Sequence, residues 1–400
     1  MRHAAITLAA VLNAVCLQAA ETKPAGPAGR NIHRRGDLAN ARVQFSKNKT
    51  GHVAFIGGSI TEMNGYRPMV CEMLRKRFPN TKFTFTDAGI ASTCSTTGAF
   101  RLAEDVLSAG PVDLFFIEFA VNDDQDAGHA RRECIRGMEG IVRHARLHNP
   151  CMDVVITYFV NPGMLQTLQE GKTPLTAGSH EEVARHYGVS TIDLAREVAE
   201  RITDGQLTWK QFGGTHPAPL GNAICAKMID DLLTAAWKGP LPADAARKPH
   251  PMPAEPLDAL SYYRGRFIDP AIAKVKGGWK LAVPEWKKLK GSCRRRFLDA
   301  TMLSAEKGAA ELTLEFTGTA VGAYVLAGPD AGIVEATIDG GQPVKVDLYH
   351  RFSRGLHYPR TVMFAADLKP ASHTLLLRTT DAHNPDSTAC ATRILKFVAN

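Results

Sequence analysis

The chain is short of the features that mark metal, nucleic-acid and membrane proteins. No C-x-x-C pair occurs among its eight cysteines, and only seven lie beyond residue 20: Cys71, Cys94, Cys134, Cys151, Cys225, Cys293 and Cys390. An odd number at wide, irregular spacing excludes both a dense disulfide framework and a cysteine zinc site, and leaves small buried hydrophobes with at most one bridge. His144 and His148 share a helix face but lack the glutamate of H-E-x-x-H, so they read as a surface pair. Asp123, Asp124, Asp126 and His129 read as a solvated loop and helix start rather than a metal site, because carboxylates are favoured where helices begin. No metal and no organic cofactor are expected. The formal net charge is +8, yet Lys and Arg are spread along the chain, and the tight cluster Arg294-Arg295-Arg296 has no aromatic interleaved within it. That disfavours a nucleic-acid partner and leaves a mild attraction to anionic polymers. Past the N-terminus no segment is apolar for long enough to cross a bilayer, so no integral membrane span is expected.

What is present is a mixture typical of globular domains, 44% hydrophobic and 22% charged over 400 residues, a length that calls for two domains. Met1-Arg2-His3, an apolar stretch from Ala4 to Leu17 and the small pair Ala19-Ala20 read as a signal peptide over residues 1–20. A secreted or periplasmic location follows. Residues 21–238 then alternate between two periods. Apolar strand-like runs (Val53 to Ile56, Lys82 to Thr86, Val112 to Val121, Val154 to Phe159, Val189 to Leu194) are separated by segments of helical spacing, of which Cys134 to Ala145 is the longest. This alternation predicts a three-layer α/β/α domain around a mostly parallel sheet. Prolines at 240, 242, 249, 251, 253 and 256 mark residues 239–258 as a linker, or an extended strap lying on the surface. Over residues 259–400 the helical period gives way to short alternating segments between Gly, Pro and Asp turns, which predicts an antiparallel β-sandwich of the jelly-roll kind.

Four short blocks carry the chemistry. The first strand runs straight into Gly57-Gly58-Ser59-Ile60-Thr61, placing Ser59 where α/β enzymes keep reactive groups. Thr61 stands where a G-x-S-x-G elbow has its second glycine, which argues against an ordinary α/β-hydrolase. The second strand ends at Asp87-Ala88-Gly89-Ile90, the third at Val121-Asn122-Asp123, and Thr215-His216-Pro217 opens the last helix of the domain. Each block alone has a plain role in a turn or cap. Together they supply what acyl transfer needs: a nucleophile, a base and donors for an oxyanion.

In this order the blocks resemble those of the SGNH (GDSL-like) hydrolases, over roughly residues 50–238. The resemblance implies that Ser59 attacks an ester carbonyl and His216 takes its proton. It also implies that the Ser59 and Gly89 amides with the Asn122 side chain hold the oxyanion. One position departs from the pattern. The family's orienting aspartate usually lies three residues before the histidine, where this chain has Gly213. Asp204 is the nearest upstream acid; a backbone carbonyl serving a Ser-His dyad is the other possibility.

Esterases similar to this type that act on polysaccharides often carry a sandwich beside the hydrolase. The expected activity is therefore hydrolysis of small acyl esters, O-acetyl first, on a poly- or oligosaccharide. Within enzymes the alternative is a lipase or thioesterase. Outside them it is a carbohydrate-binding protein on a degenerate SGNH fold, supported by Gly213 and opposed by the four intact blocks. Trp279, Trp286, Tyr349, Tyr358, His350 and His357 could stack on sugars, though burial in the sandwich core is their commoner fate.

Overall fold

The computed structural model describes residues 29–400; the predicted signal peptide lies outside them. The first sheet contains β1 (Ile32–His33), β2 (Thr50–Gly57), β3 (Lys82–Gly89), β4 (Leu114–Glu118), β5 (Asp153–Thr157) and β6 (Ser190–Ile192). Their order is β1-β6-β5-β4-β2-β3, parallel except for β1, which runs antiparallel to β6. Every residue of β4 and β5 is buried, which is why Leu114, Phe115, Phe116 and Ile117 and then Val154, Val155 and Ile156 read as continuous apolar runs rather than alternating ones. The run Val112 to Val121 yields a shorter strand than its composition suggested. Chain beyond Glu118 turns into a π-helical turn, Asn122–Asp126, so that Asn122 faces the strand ends.

The strand order decides where a site can form. From β2 the chain moves outward to β3 and then returns to the other side of β2 as β4, so the crossovers diverge between β2 and β4. At such a switch point a crevice opens beyond the carboxyl ends of the strands. Ser59 and Asn122 follow those two strands.

Residues 239–258 form a strap along the first domain. His250 donates its backbone N–H to Pro150 O (2.8 Å) and its ring meets Asp153 (2.8 Å); Glu139 accepts from the Leu257 and Asp258 amides (2.6 and 2.9 Å). Prolines suit this path because the strap forms no ladder and needs few donors.

The remaining strands are β7 (Arg266–Ile268), β8 (Lys274–Lys276), β9 (Lys280–Ala282), β10 (Met302–Ala305), β11 (Glu311–Gly318), β12 (Val321–Ala327), β13 (Gly332–Ile338), β14 (Val344–Asp347), β15 (Tyr358–Ala365), β16 (Ala371–His383) and β17 (Thr392–Ala399). They build two antiparallel sheets, β15-β12-β17-β10-β9 with β7 on β17, and β14-β13-β16-β11-β8. From β10 to β17 the chain crosses between the sheets at every step except the β13–β14 hairpin, as in a jelly roll. One core fills the space between the sheets, with Leu312, Leu314, Val325, Leu375, Leu377 and Phe397 among its members.

A second apolar cluster ignores the boundary between the two halves. Met302, Tyr324, Leu326, Leu395 and Val398 of the sandwich belong to the same continuous core as the parallel sheet and its helices. Charge reinforces the junction: Arg136, on the helix Arg131–His148, is 1% exposed and pairs with Asp258 of the strap and Asp367 of the β15–β16 turn. All seven cysteines of the described residues are free thiols, so no bridge assists. A shared core and a buried ion pair predict one cooperative thermal transition rather than two. Arg136→Ala should cost about 2 kcal/mol by removing the buried guanidinium and its charged hydrogen bonds, while Arg132 keeps Asp258 and Asp367 paired. Calorimetry reads both: separate transitions for the two halves, or an unchanged midpoint in the variant, would contradict this account.

Candidate active site

Ser59 opens the four-residue helix Ser59–Glu62, and its Oγ lies 2.7 Å from His216 Nε2. These residues are 157 positions apart in the chain. A hydrogen bond of this length between a hydroxyl and an imidazole is the arrangement in which the ring can remove the serine proton as the hydroxyl attacks.

The turn that presents Ser59 is held from below. Glu118, fully buried at the end of β4, accepts from Gly58 N and Thr61 Oγ1, both at 3.0 Å, through Oε1. Parallel register sets Gly57 directly opposite Glu118. A Cβ on Gly57 would stand 2.5 Å from Glu118 Oε1, and one on Gly58 would stand 2.1 Å from Asn122 Oδ1. Neither position admits a side chain. Gly89 is confined in the same way, since a Cβ there would meet Glu62 N at 2.3 Å. Arg101, wholly buried, ties the strand ends together by donating to Gly57 O (3.0 Å) and Ala88 O (2.7 Å).

The three expected oxyanion donors therefore sit on neighbouring strand ends, but two are already engaged. Gly89 N donates to Asp87 Oδ1 (3.0 Å), and one Asn122 amide hydrogen goes to Asp126 Oδ2 (2.5 Å), leaving the other hydrogen for a ligand. Asp123 is not the solvated helix-start acid that its neighbours suggested. Buried completely, it accepts from Ser95 N (2.7 Å), Ser95 Oγ (2.6 Å) and His180 Nε2 (2.9 Å), with His129 Nδ1 at 3.6 Å. Burial alone would raise its pKa, but the two histidines overcome that and hold Asp123 well below the usual carboxylate range. This network fixes the backbone next to Asn122.

Asp204 does not orient His216. It caps the end of the helix Leu194–Thr203, its backbone N–H bound to Glu200 O (2.8 Å), beside a surface hollow with Arg30 and Arg196. Among the described residues, the histidines with a carboxylate within 4.0 Å are His33, His129, His180, His250 and His373. His216 is not one of them. The reason lies in the backbone at Gly213, which ends the helix Trp209–Phe212 with φ of 104° and would put a Cβ 2.0 Å from Ala218 N. No aspartate fits this turn. The loop is pinned through its backbone instead: Ala218 N donates to Phe212 O (2.8 Å), and Asn222 Nδ2 donates to Pro217 O (2.6 Å) while its Oδ1 accepts from Tyr66 N (2.9 Å).

The sandwich reaches the same site, which the linear sequence did not reveal. His350 Nε2 donates to Asp126 O (2.8 Å), and Arg351 to Gln125 O, so the turn Arg351–Arg354 braces the segment carrying Asn122. Opposite, Arg296 donates to Gly89 O (3.0 Å) and Arg294 to Ala91 O (3.1 Å). Phe352, 43% exposed, stacks beside His350 and Tyr358. Tyr358, His357, Tyr349 and Trp279 are buried, as expected of sandwich residues.

Residues 55–224 match the model of the GDSL-like lipase/acylhydrolase family. This segment is a GDSL-like hydrolase domain. Nearly the whole chain also superposes on a two-domain esterase active on acetylated mannans. One structure of it, co-crystallised with mannopentaose, is 21% identical with a TM-score of 0.72 over 92% of this chain and 96% of that one. The other is 22% identical with a TM-score of 0.73 over 92% and 97%. At such identities the likeness is one of fold, across both halves. No curated protein matches the chain.

Glu118 is a residue that sequence reasoning missed; its available signal was a lone acid inside the apolar run Phe115 to Val121. Burial raises its pKa to about 8, so it holds a proton in the folded chain at neutral pH. The unfolded chain has already lost that proton, hence native stability falls as pH climbs from about 5 towards about 8. Glu118→Gln should abolish this slope while keeping the Gly58 contact; parallel melting curves for both proteins would refute it. Gly213→Asp should lower the melting midpoint without raising turnover, since the residue cannot adopt that φ cheaply. A more active Gly213→Asp enzyme would show that the acid position had merely been vacated.

Proposed function

We propose that this protein is an exported serine esterase that removes small acyl groups, O-acetyl groups first, from carbohydrate. The observation that carries the reading is the 2.7 Å contact between Ser59 Oγ and His216 Nε2 at the switch point of a GDSL-like domain. In the proposed reaction the Ser59 hydroxyl attacks the ester carbonyl as His216 accepts its proton. The oxyanion is held by the Ser59 amide and the free hydrogen of the Asn122 side chain, and by Gly89 N once it leaves Asp87. His216 then protonates the departing sugar alkoxide, and water repeats the sequence to release the acid. Nothing in this scheme needs Asp204. The ring is placed by its backbone loop, as a dyad.

A carbohydrate substrate is supported by the exposed Phe352 on the turn that braces Asn122, since aromatic faces pack on the CH faces of sugars. The likeness to an acetylmannan esterase over both halves points the same way. Export rests on the composition of residues 1–20.

Acetate release from acetylated polysaccharides and from a chromogenic acetate tests the reading. Ser59→Ala and His216→Ala should each lower kcat/KM by roughly 10³ or more, and Asn122→Ala by roughly 10². If Ser59→Ala releases acetate as fast as the parent protein, the nucleophile is elsewhere and the assignment fails.

A further inference from the structure

Lys and Arg occur throughout the chain, but their excess over Asp and Glu is concentrated in one segment. Residues 274–296 contain nine lysines and arginines against one acid, Glu285, a net +8 that equals the formal charge of the entire chain. The rest of the molecule is balanced. Part of the run has a plain structural cause: β8 and β9 are edge strands of the two sheets, and lysines on edge strands block edge-to-edge association. This covers Lys274, Lys276 and Lys280. It does not cover Lys287, Lys288 and Lys290 around the turn Trp286–Lys288, or Arg294, Arg295 and Arg296.

The fold does not use most of these charges. Among the described residues only Lys274, Lys288 and Arg296 of the nine have a carboxylate within 4.0 Å. The segment is anchored by other means: Lys290 O accepts from His357 Nε2 (3.0 Å), and Trp286 packs edge-on to His357. Its far end rests on the candidate site, where Arg294 and Arg296 hold the Ala91 and Gly89 carbonyls. A cationic path thus runs from the sandwich edge to the oxyanion side of Ser59. Leu281, Val283 and Leu298 are exposed along it, at 46%, 43% and 37%.

We propose that residues 274–296 are a docking surface for an anionic polysaccharide, one with carboxylates on its sugars, and that this surface delivers the acylated residue to Ser59. The inference rests on the esterase reading and narrows its substrate class. Carboxylates repeating along a sugar chain match cations repeating along an edge, and the exposed aliphatic side chains suit the apolar faces of the rings. A lipid surface is less well matched, because the cations lie on three-residue strands and turns rather than on one face of an amphipathic helix.

The test uses the full chain and a K276Q/K280Q/K287Q/K290Q variant, whose substitutions are all at exposed positions. Affinity electrophoresis through polygalacturonate reads docking without catalysis; kcat/KM on acetylated polygalacturonate and acetylated mannan reads delivery. Retardation of the parent protein should fade between about 20 and about 200 mM NaCl as screening shortens the field. The ratio of activity on anionic to neutral polymer should fall about tenfold in the variant. Equal retardation and equal ratios for the two proteins would overturn the proposal, as would retention on anionic phospholipid vesicles in place of polygalacturonate. If no ester is cleaved but polygalacturonate retards the parent protein and not the variant, docking stands and the esterase reading is what fails.

Discussion

The site depends on how closely β2 can approach β4. In-register pairing sets Gly57 opposite Glu118, and the absence of side chains at Gly57 and Gly58 lets a buried carboxyl and the Asn122 amide reach the turn carrying Ser59. Glu118 is protonated in this environment, so it supports the turn without placing a negative charge beneath a developing oxyanion. An ionised carboxylate there would oppose the chemistry proposed for Ser59. Gly89 and the buried Arg101 extend the same constraint to β3.

The sandwich is structurally part of this arrangement and not a separate module on a tether. Its strands share an apolar core with the parallel sheet, and the buried Arg136 joins helix, strap and sandwich through ion pairs to Asp258 and Asp367. Two sandwich segments end on opposite sides of the candidate nucleophile, one on Asp126 and one on Gly89. The packing that joins the halves also gives the cleft a wall. Such a wall can hold a polymer in register where a flexible appendage could only raise its local concentration.

The missing acid has a structural counterpart. Gly213 occupies a left-handed turn closed by the Ala218 amide, and that closure positions the loop carrying His216. A third side chain and a tightly pinned loop both restrict the imidazole; only the first adds charge to stabilise the imidazolium.

Much of this was legible in the residues. Periods of 3.6 and 2 in the hydrophobic pattern determined the parallel α/β half and the antiparallel half, because burial acts through local spacing. Three short blocks at strand ends marked Ser59, Gly89 and Asn122, because a parallel sheet must place those ends together, and a fourth before the last helix marked His216. Tertiary structure alone decided the rest. It gave Asp123 to His129 and His180 rather than to solvent, left Asp204 at a helix end with no histidine of the described residues within 4.0 Å, and brought His350, Arg294 and Arg296 to the site from the other half of the chain. The charge of residues 274–296 was already concentrated in the sequence; tertiary structure set its Arg294 and Arg296 end against Ala91 and Gly89. Such contacts join residues hundreds of positions apart, and whether a polar side chain is buried against a partner or left in water is set by packing that no local pattern encodes.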